Sequence, residues 1–302
     1  MEDMITGLCP QCGHTLHIPA ELASFSCMYC GARLTKKQLA AEPLAAPEVD
    51  EDRAAYYDRA VSRLGWCIKN FGGYQKKIMR DVFFEAFETY EAGCAPVIQE
   101  LARGVAPEQQ TQLLERAAAA MLDELKAGWQ KKGDMEDEKI VLAIFFVPMV
   151  RKQQLPISEE FVTILQKQWV ERYPKSPFYL GDYESISGGF RKKFLGLCFI
   201  TTAVCQELGK PDDCEELTAF RAFRDGYLRS QPDGEALIRE YYNIAPGIVT
   251  CINTCSDRHA SYARIREEYL APCYQDLLAG RNESCKARYV RMVRDLEREY
   301  LS

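Results

Sequence analysis

The sequence is poor in histidine, the side chain that most often performs general acid–base catalysis. It has three histidines in 302 residues, and two of them, His14 and His17, lie near the amino terminus between cysteine pairs. A glycine-rich phosphate loop, a Gly-x-Ser-x-Gly turn, a His-Glu-x-x-His pair and an internal repeat of fixed period are all missing. No catalytic centre is evident, so the sequence favours a binding or scaffold protein over an enzyme.

Positive charge is not in excess, and long apolar runs are missing. The chain has 38 basic and 44 acidic residues, a net charge of -6, and a nucleic-acid or membrane-surface binder would instead show a basic footprint. The apolar runs at 140–150 and 194–205 are shorter than the roughly 20 residues of a membrane helix. The first residues contain no apolar signal segment. We therefore expect a cytoplasmic protein with a protein partner and no membrane contact. A nucleic-acid binder that acts through the amino-terminal cysteine region is a third interpretation, which the acidity of the chain disfavours.

Cysteine, in contrast, is abundant, with 13 residues in the chain. Cys9 and Cys12 form one Cys-x-x-Cys pair, Cys27 and Cys30 form a second, and a glycine follows each pair. Two such pairs present four sulfur ligands, the set that suits tetrahedral zinc. This stretch resembles a zinc ribbon over residues 1–34, which implies one structural Zn²⁺ and a short β-hairpin.

Two alternatives remain open for this region. Either cysteine pair matches the spacing of a dithiol redox motif. His14 and His17 are also potential ligands, although four cysteines already complete a tetrahedral site. Such a site leaves no open position for substrate, so the spacing predicts an architectural metal.

The rest of the chain is predicted to be helical, which makes the fold class mainly α. Residues 35–53 are rich in alanine and contain two prolines, as in a linker. Apolar residues recur at helical spacing over most of 54–190, the predicted middle domain, whereas 140–150 fits a buried helix or a strand. Glycine and serine in 175–190 predict a loop before a helical carboxy-terminal domain over 191–302.

The start of the carboxy-terminal domain combines an apolar run with Cys198, Cys205 and Cys214. On a helix, Cys198 and Cys205 would share a face because they are seven residues apart. Three interpretations stay open: buried thiols that fill space, a second metal site, or a reactive or redox-sensing thiol. A minor metal-site alternative further along is the line Cys251, Cys255 and His259, spaced by four residues.

A patch of aromatic and basic residues follows these thiols. Arg221 and Arg224 have helical spacing and are candidates for an anion contact, because arginine offers paired donors to phosphate or carboxylate. The alternative is a set of internal ion pairs that fixes helix packing. Asp212, with Glu215 three residues later, predicts a capping box at the start of this helix.

Three features of this region occur together in a known family. They are Cys-Phe-Ile-Thr-Thr-Ala from Cys198, Phe-Arg-Ala-Phe-Arg-Asp from Phe220, and the trio Tyr241, Tyr242 and Pro246. Residues 196–250 thereby resemble the CFI-box carboxy-terminal family of bacterial proteins. The resemblance implies a bacterial protein and supplies no reaction. Many members continue with tyrosine and glycine after the alanine, where this chain has Val204 and Cys205.

Overall fold

The computed structural model describes residues 4–11, 14–39, 52–131, 133–191 and 198–302. Contacts between Cα atoms divide the chain into two compact units, 1–52 and 53–302. In the described residues, the first unit consists of short strands and one helical turn, and the second is helical. The structure therefore confirms a mainly α protein with a small β-hairpin element.

The first unit, which we call the ribbon, contains two hairpins. Strand β1 (Met4–Leu8) pairs antiparallel with β2 (Thr15–Pro19), and β3 (Ser24–Ser26) pairs with β4 (Arg33–Thr35). The single turn α1 (Lys36–Leu39) follows β4 directly. Alternation along β2 buries one face of the strand, as expected when a small sheet covers a core on one side.

The ribbon core is small and extends beyond the predicted boundary at residue 34. Leu16, Ile18, Leu34 and Leu39 are buried in it. The alanine-rich composition of 35–53 predicts that Leu39 belongs to the linker. Its burial in the ribbon core instead makes it part of the ribbon. The remaining positions of the predicted linker, 40–51, lie outside the described residues.

The second unit, the helical body, contains the other helices of the described chain. They are α2 (Arg53–Leu64), α3 (Trp66–Lys69), α4 (Phe83–Gly104), α5 (Gln110–Gly128), α6 (Asp134–Val141), α7 (Val147–Lys152), α8 (Ser158–Arg172), α9 (Tyr183–Arg191), α10 (Phe199–Glu207), α11 (Glu215–Phe223), α12 (Gly234–Cys255), α13 (Arg258–Ile265), α14 (Ala271–Leu278) and α15 (Asn282–Tyr300). π-Helical turns at Leu142–Phe146, Arg224–Leu228 and Arg266–Leu270 join successive helices. None of the described helices combines the length and apolar character needed to cross a membrane.

One continuous hydrophobic core runs through the body, from Tyr57 to Leu301. The predicted division at residue 190 therefore does not separate two cores. The run 140–150 is helical, with a π turn in its middle, and it is buried on every side. A helix that is apolar all round belongs in the interior, which explains why its sequence was also compatible with a buried strand.

Helix α6 contains a buried lysine. Lys139 is 3% exposed, and its Nζ donates to Ser176 Oγ at 2.7 Å and pairs with Glu136 Oε2 at 2.5 Å. The Trp169 indole N–H donates to the Ser176 carbonyl at 2.7 Å. These partners compensate the cost of removing an ammonium group from water.

Helix α9 corrects the second half of the loop predicted over 175–190, whereas residues 175–182 are indeed neither helix nor strand. Asp182 accepts a hydrogen bond from the Ser185 amide at 2.8 Å and so caps the start of the helix. Ile186 and Phe190, one turn apart, are buried, and Phe190 stacks on Phe83 with ring centroids 4.3 Å apart. Tertiary packing of these two side chains outweighs the low helix propensity of the glycines between them.

Candidate functional site

The metal-binding pattern in the ribbon depends on two tight turns at the ends of strands. The Cys9 amide donates to the His14 carbonyl at 2.9 Å, and the Cys27 amide donates to the Ala32 carbonyl at 2.8 Å. Gly31 has φ of +73°, in the left-handed region that glycine enters at little cost. The glycine after the second pair therefore supplies the left-handed residue that the tight turn requires. The turn folds Cys30 back toward Cys27.

Three of the four predicted ligands converge. The Sγ atoms of Cys9, Cys27 and Cys30 all lie within 4.8 Å of one another, and those of Cys9 and Cys30 are 3.7 Å apart. A tetrahedral ion with Zn–S bonds of about 2.3 Å has sulfur–sulfur edges of about 3.8 Å. The cluster therefore has the size of a metal–thiolate site. Cys12, the fourth predicted ligand, lies outside the described residues.

Neither ribbon histidine belongs to this cluster in the described part of the chain. His14 is exposed, and its ring stacks on Tyr29 with centroids 4.3 Å apart. His17 is exposed on β2. The geometry thus gives the ligand role to sulfur.

The carboxy-terminal thiols do not meet at one point. Cys205 and Cys214 bring their Sγ atoms to 3.9 Å. Cys198 is at the N-cap position of α10, 4% exposed, and its Sγ accepts a hydrogen bond from Arg224 Nη1 at 3.5 Å. Among the described residues, no group of three close ligand atoms includes any of these thiols. The structure pairs two of the three cysteines and assigns Cys198 a different neighbour.

Arg221 and Arg224 both hold carboxylates of the same chain. Arg221 donates to the carbonyl and to Oδ1 of Asp212, each at 2.8 Å. Arg224 donates to both carboxylate oxygens of Asp225, at 2.8 and 2.6 Å. These hydrogen bonds lower the pKa of Asp225. An external anion would have to displace them, so the geometry favours internal ion pairs.

The same contacts explain why the predicted capping box is absent. Helix α11 begins after Cys214, which supplies no side-chain cap, and the Asp212 carboxylate is engaged by Arg221 instead. A charge-assisted contact with arginine competes with capping for the same oxygens.

A small, mostly apolar cavity of about 60 Å³ lies beside Cys198 and Arg224. Its walls include Phe220, Tyr241 and Tyr289. Burial is the main reason that the pKa of Cys198 rises to about 11, against the opposing effect of Arg224. The thiol is therefore protonated at neutral pH, which disfavours a nucleophilic role.

Tyrosine hydroxyls fix the start of α10 at this cavity. The Tyr241 hydroxyl accepts from the Ile200 amide at 3.0 Å and lies 3.4 Å from the Tyr289 hydroxyl. Tyr289 in turn lies 3.2 Å from Thr201 Oγ1. Two residues of the CFI-box resemblance, Ile200 and Tyr241, are thus in direct contact. The Tyr241 hydroxyl accepts from an amide of the first helical turn, which has no partner within the helix.

The predicted line of Cys251, Cys255 and His259 is interrupted. Helix α12 ends at Cys255, and His259 belongs to α13. Its Nδ1 pairs with Glu207 at the end of α10. Arg258 Nε also contacts Glu207, at 2.9 Å. The pair of His259 and Glu207 could not be predicted from the sequence, because the two residues are 52 positions apart and no motif connects them.

The Glu207 side chain borders a wide polar cleft of about 590 Å³. Helices α9, α10, α12 and α13 line it. On its α12–α13 side, the Tyr262 hydroxyl donates to Asn253 Oδ1 at 2.9 Å. Glu207 thus lines the cleft and also pairs with His259, a contact that the sequence did not predict.

Comparisons with protein-family models, with curated proteins and with solved structures found no match for this chain. The resemblance to the CFI-box family consequently remains a prediction from the residues that carry it.

Proposed function

We propose that the chain is a bacterial, cytoplasmic zinc-binding protein that acts as a binding or scaffold module. The observation that carries the metal part is the convergence of Cys9, Cys27 and Cys30 within 4.8 Å. Cys12 is the proposed fourth ligand, because its spacing from Cys9 matches that between the other two members of a four-sulfur site. Four thiolates leave no open coordination position, so the proposed role of zinc is structural.

Exposed apolar side chains on the ribbon support the binding part. Met28 and Tyr29, between the two ligands of the second pair, are 79% and 57% exposed. Methionine and tyrosine are enriched at protein interfaces, where they supply large adaptable contacts. We assign one partner contact to this turn and a second to the CFI-box-type region, with a protein as the partner.

Metal analysis of the purified chain tests the metal part. The expected result is one zinc per chain in the wild type and loss of most of it in Cys27→Ser. The matched control is Cys214→Ser, which removes a thiol from the body and should retain one zinc. Cobalt substitution should give a tetrahedral all-sulfur spectrum. Iron in place of zinc, or full zinc content in Cys27→Ser, would contradict the proposal.

A comparison of surface variants tests the binding part. Met28→Ser with Tyr29→Ser should abolish capture of a protein partner while zinc content stays the same. Leu278→Ser is the matched control, since Leu278 is 64% exposed on the body and has no assigned role. If Leu278→Ser loses capture of the protein partner to the same extent, the turn of Met28 and Tyr29 is not the partner contact.

A second candidate is a thiol-based redox or metal-dependent enzyme or sensor. The observation that favours it is the contact between Cys205 and Cys214. Alkylation at neutral pH distinguishes the candidates, because an enzyme or sensor needs a body thiol that reacts faster than free cysteine. If every thiol of the body is alkylated more slowly than free cysteine, the redox candidate is excluded and the binding module is the remaining function.

A further inference from the structure

Cys205 lies in the last turn of α10, and Cys214 directly precedes α11 on the other side of the connecting turn. Their Sγ atoms are 3.9 Å apart, in contact and unbonded. The turn is fixed by the Lys210 amide, which donates to the Cys205 carbonyl at 2.9 Å, and by the Cys214 amide, which donates to Pro211 at 3.1 Å. A disulfide requires an Sγ–Sγ distance of about 2.05 Å. The disulfide inferred below therefore requires the two sulfurs to approach by about 1.9 Å.

The two thiols differ in access. Cys205 is 1% exposed, whereas Cys214 is half-buried at the N-cap position of α11. Burial, followed by the neighbouring Cys214, raises the pKa of Cys205 to about 12. An oxidant therefore meets Cys214 first, and Cys205 lies behind it as the resolving partner.

We infer that Cys205 and Cys214 form a reversible disulfide in response to peroxide, which makes the α10–α11 turn a redox-sensitive modification site. The inference deepens the second candidate function, the redox sensor, and depends neither on the proposed binding function nor on the metal centre.

The chemistry uses two thiols and one peroxide. The Cys214 thiolate attacks a peroxide oxygen, the O–O bond breaks, and a sulfenic acid and hydroxide form. Cys205 then attacks that sulfur as its thiol proton is lost, an S–S bond replaces the S–O bond, and hydroxide leaves. Two electrons pass from the pair to peroxide, and the two thiol protons complete two water molecules. A thiol reductant reverses the reaction by exchange.

Other close cysteines in the described body lack this access. Cys94 Sγ contacts the Cys67 carbonyl at 3.9 Å, and Cys273 Sγ contacts the Cys285 carbonyl at 3.8 Å. All four of these residues are 0% exposed. They serve as internal controls, since proximity without access should not produce a disulfide at low oxidant.

The disulfide would connect α10, whose N-cap residue is Cys198, to the start of α11, whose C-cap residue is Arg224. Both residues line the apolar cavity. A covalent link between α10 and α11 would fix the distance between two walls of the apolar cavity. Oxidation is therefore expected to change the exchange rates of the α11 amides.

Peptide mapping of the full zinc-loaded chain tests the inference. The chain is treated with equimolar hydrogen peroxide, blocked with N-ethylmaleimide in denaturant and digested. Lys210 precedes Pro211, so trypsin leaves both thiols in one peptide, and cleavage before Asp212 separates them. The expected product is an intact disulfide with a loss of about 2 Da, the two thiol hydrogens, which dithiothreitol restores. Cys198 in the same peptide should carry the maleimide.

Two variants test the order of attack. Cys205→Ser should leave Cys214 as a sulfenic acid that dimedone traps, and Cys214→Ser should leave Cys205 unoxidised. Full alkylation of both thiols in the treated wild type would overturn the inference. So would disulfides in the Cys67–Cys94 or Cys273–Cys285 pairs at the same rate, because oxidation would then not be selective.

Discussion

Removal of the metal is expected to unfold the ribbon and leave the helical body folded. Four aliphatic side chains, Leu16, Ile18, Leu34 and Leu39, are buried in the described ribbon core. At about 1.5–3 kcal/mol each, their burial contributes about 6–12 kcal/mol. A structural zinc contributes about 10–16 kcal/mol in small zinc domains. The metal therefore supplies at least as much as the core, and conformational entropy opposes both.

Hydrogen exchange after chelation measures this effect. With a reductant present, peptides covering the Cys9 and Cys27 amides should lose protection, because both amides donate within the metal-binding turns. Peptides around Trp169, which is fully buried in the body, are the internal control and should not change. Retained protection in the chelated ribbon would refute the reasoning, since the strands would then hold without metal.

Two further predictions concern the body. Asp225→Asn should lower the free energy of unfolding at pH 7, because it removes the charged partner of Arg224. The loss should be only about 1 kcal/mol, because the carboxylate is half-exposed and water screens the pair. Hydrogen bonds from Arg224 lower its pKa, so their contribution is complete above the ordinary carboxyl pKa and is lost as pH falls through the folded value. Urea titrations should show the two proteins converging in acid; a difference that grows there would contradict this. Gly247→Ala should cost about 2–3 kcal/mol in thermal unfolding, because the added Cβ would lie 1.8 Å from the Ile78 carbonyl oxygen. Gly188→Ala in α9 meets nothing within 4 Å and should instead stabilise by about 0.5–1 kcal/mol; equal effects would disprove the contact argument.

The ribbon could be predicted because its information is local. The spacing of Cys27 and Cys30, with a glycine after them, specifies a turn that brings two sulfurs together, and the structure adds Cys9 to them. Helical periodicity similarly predicted a mainly α body. In both cases, the pattern repeats within a few residues, so neighbours in sequence determine the geometry.

The carboxy-terminal contacts could not be predicted in this way. Seven-residue spacing put Cys198 and Cys205 on one helical face, but α10 begins only after Cys198, whose sulfur contacts Arg224. Aspartate is a preferred N-cap residue, but Asp212 is instead paired with an arginine nine residues later. Such choices depend on which partner tertiary packing brings within reach, and a single sequence does not encode that competition in any local pattern.

The buried amine of Lys139 has a practical consequence for mapping partner surfaces. Acylating and amine-to-amine crosslinking reagents modify only lysines that water can reach, and this one is 3% exposed and held by two oxygen partners. In a lysine-footprinting experiment it should stay silent while the body is intact. Its labelling would then report opening of the body itself, and the surface lysines would report the footprint of a bound protein.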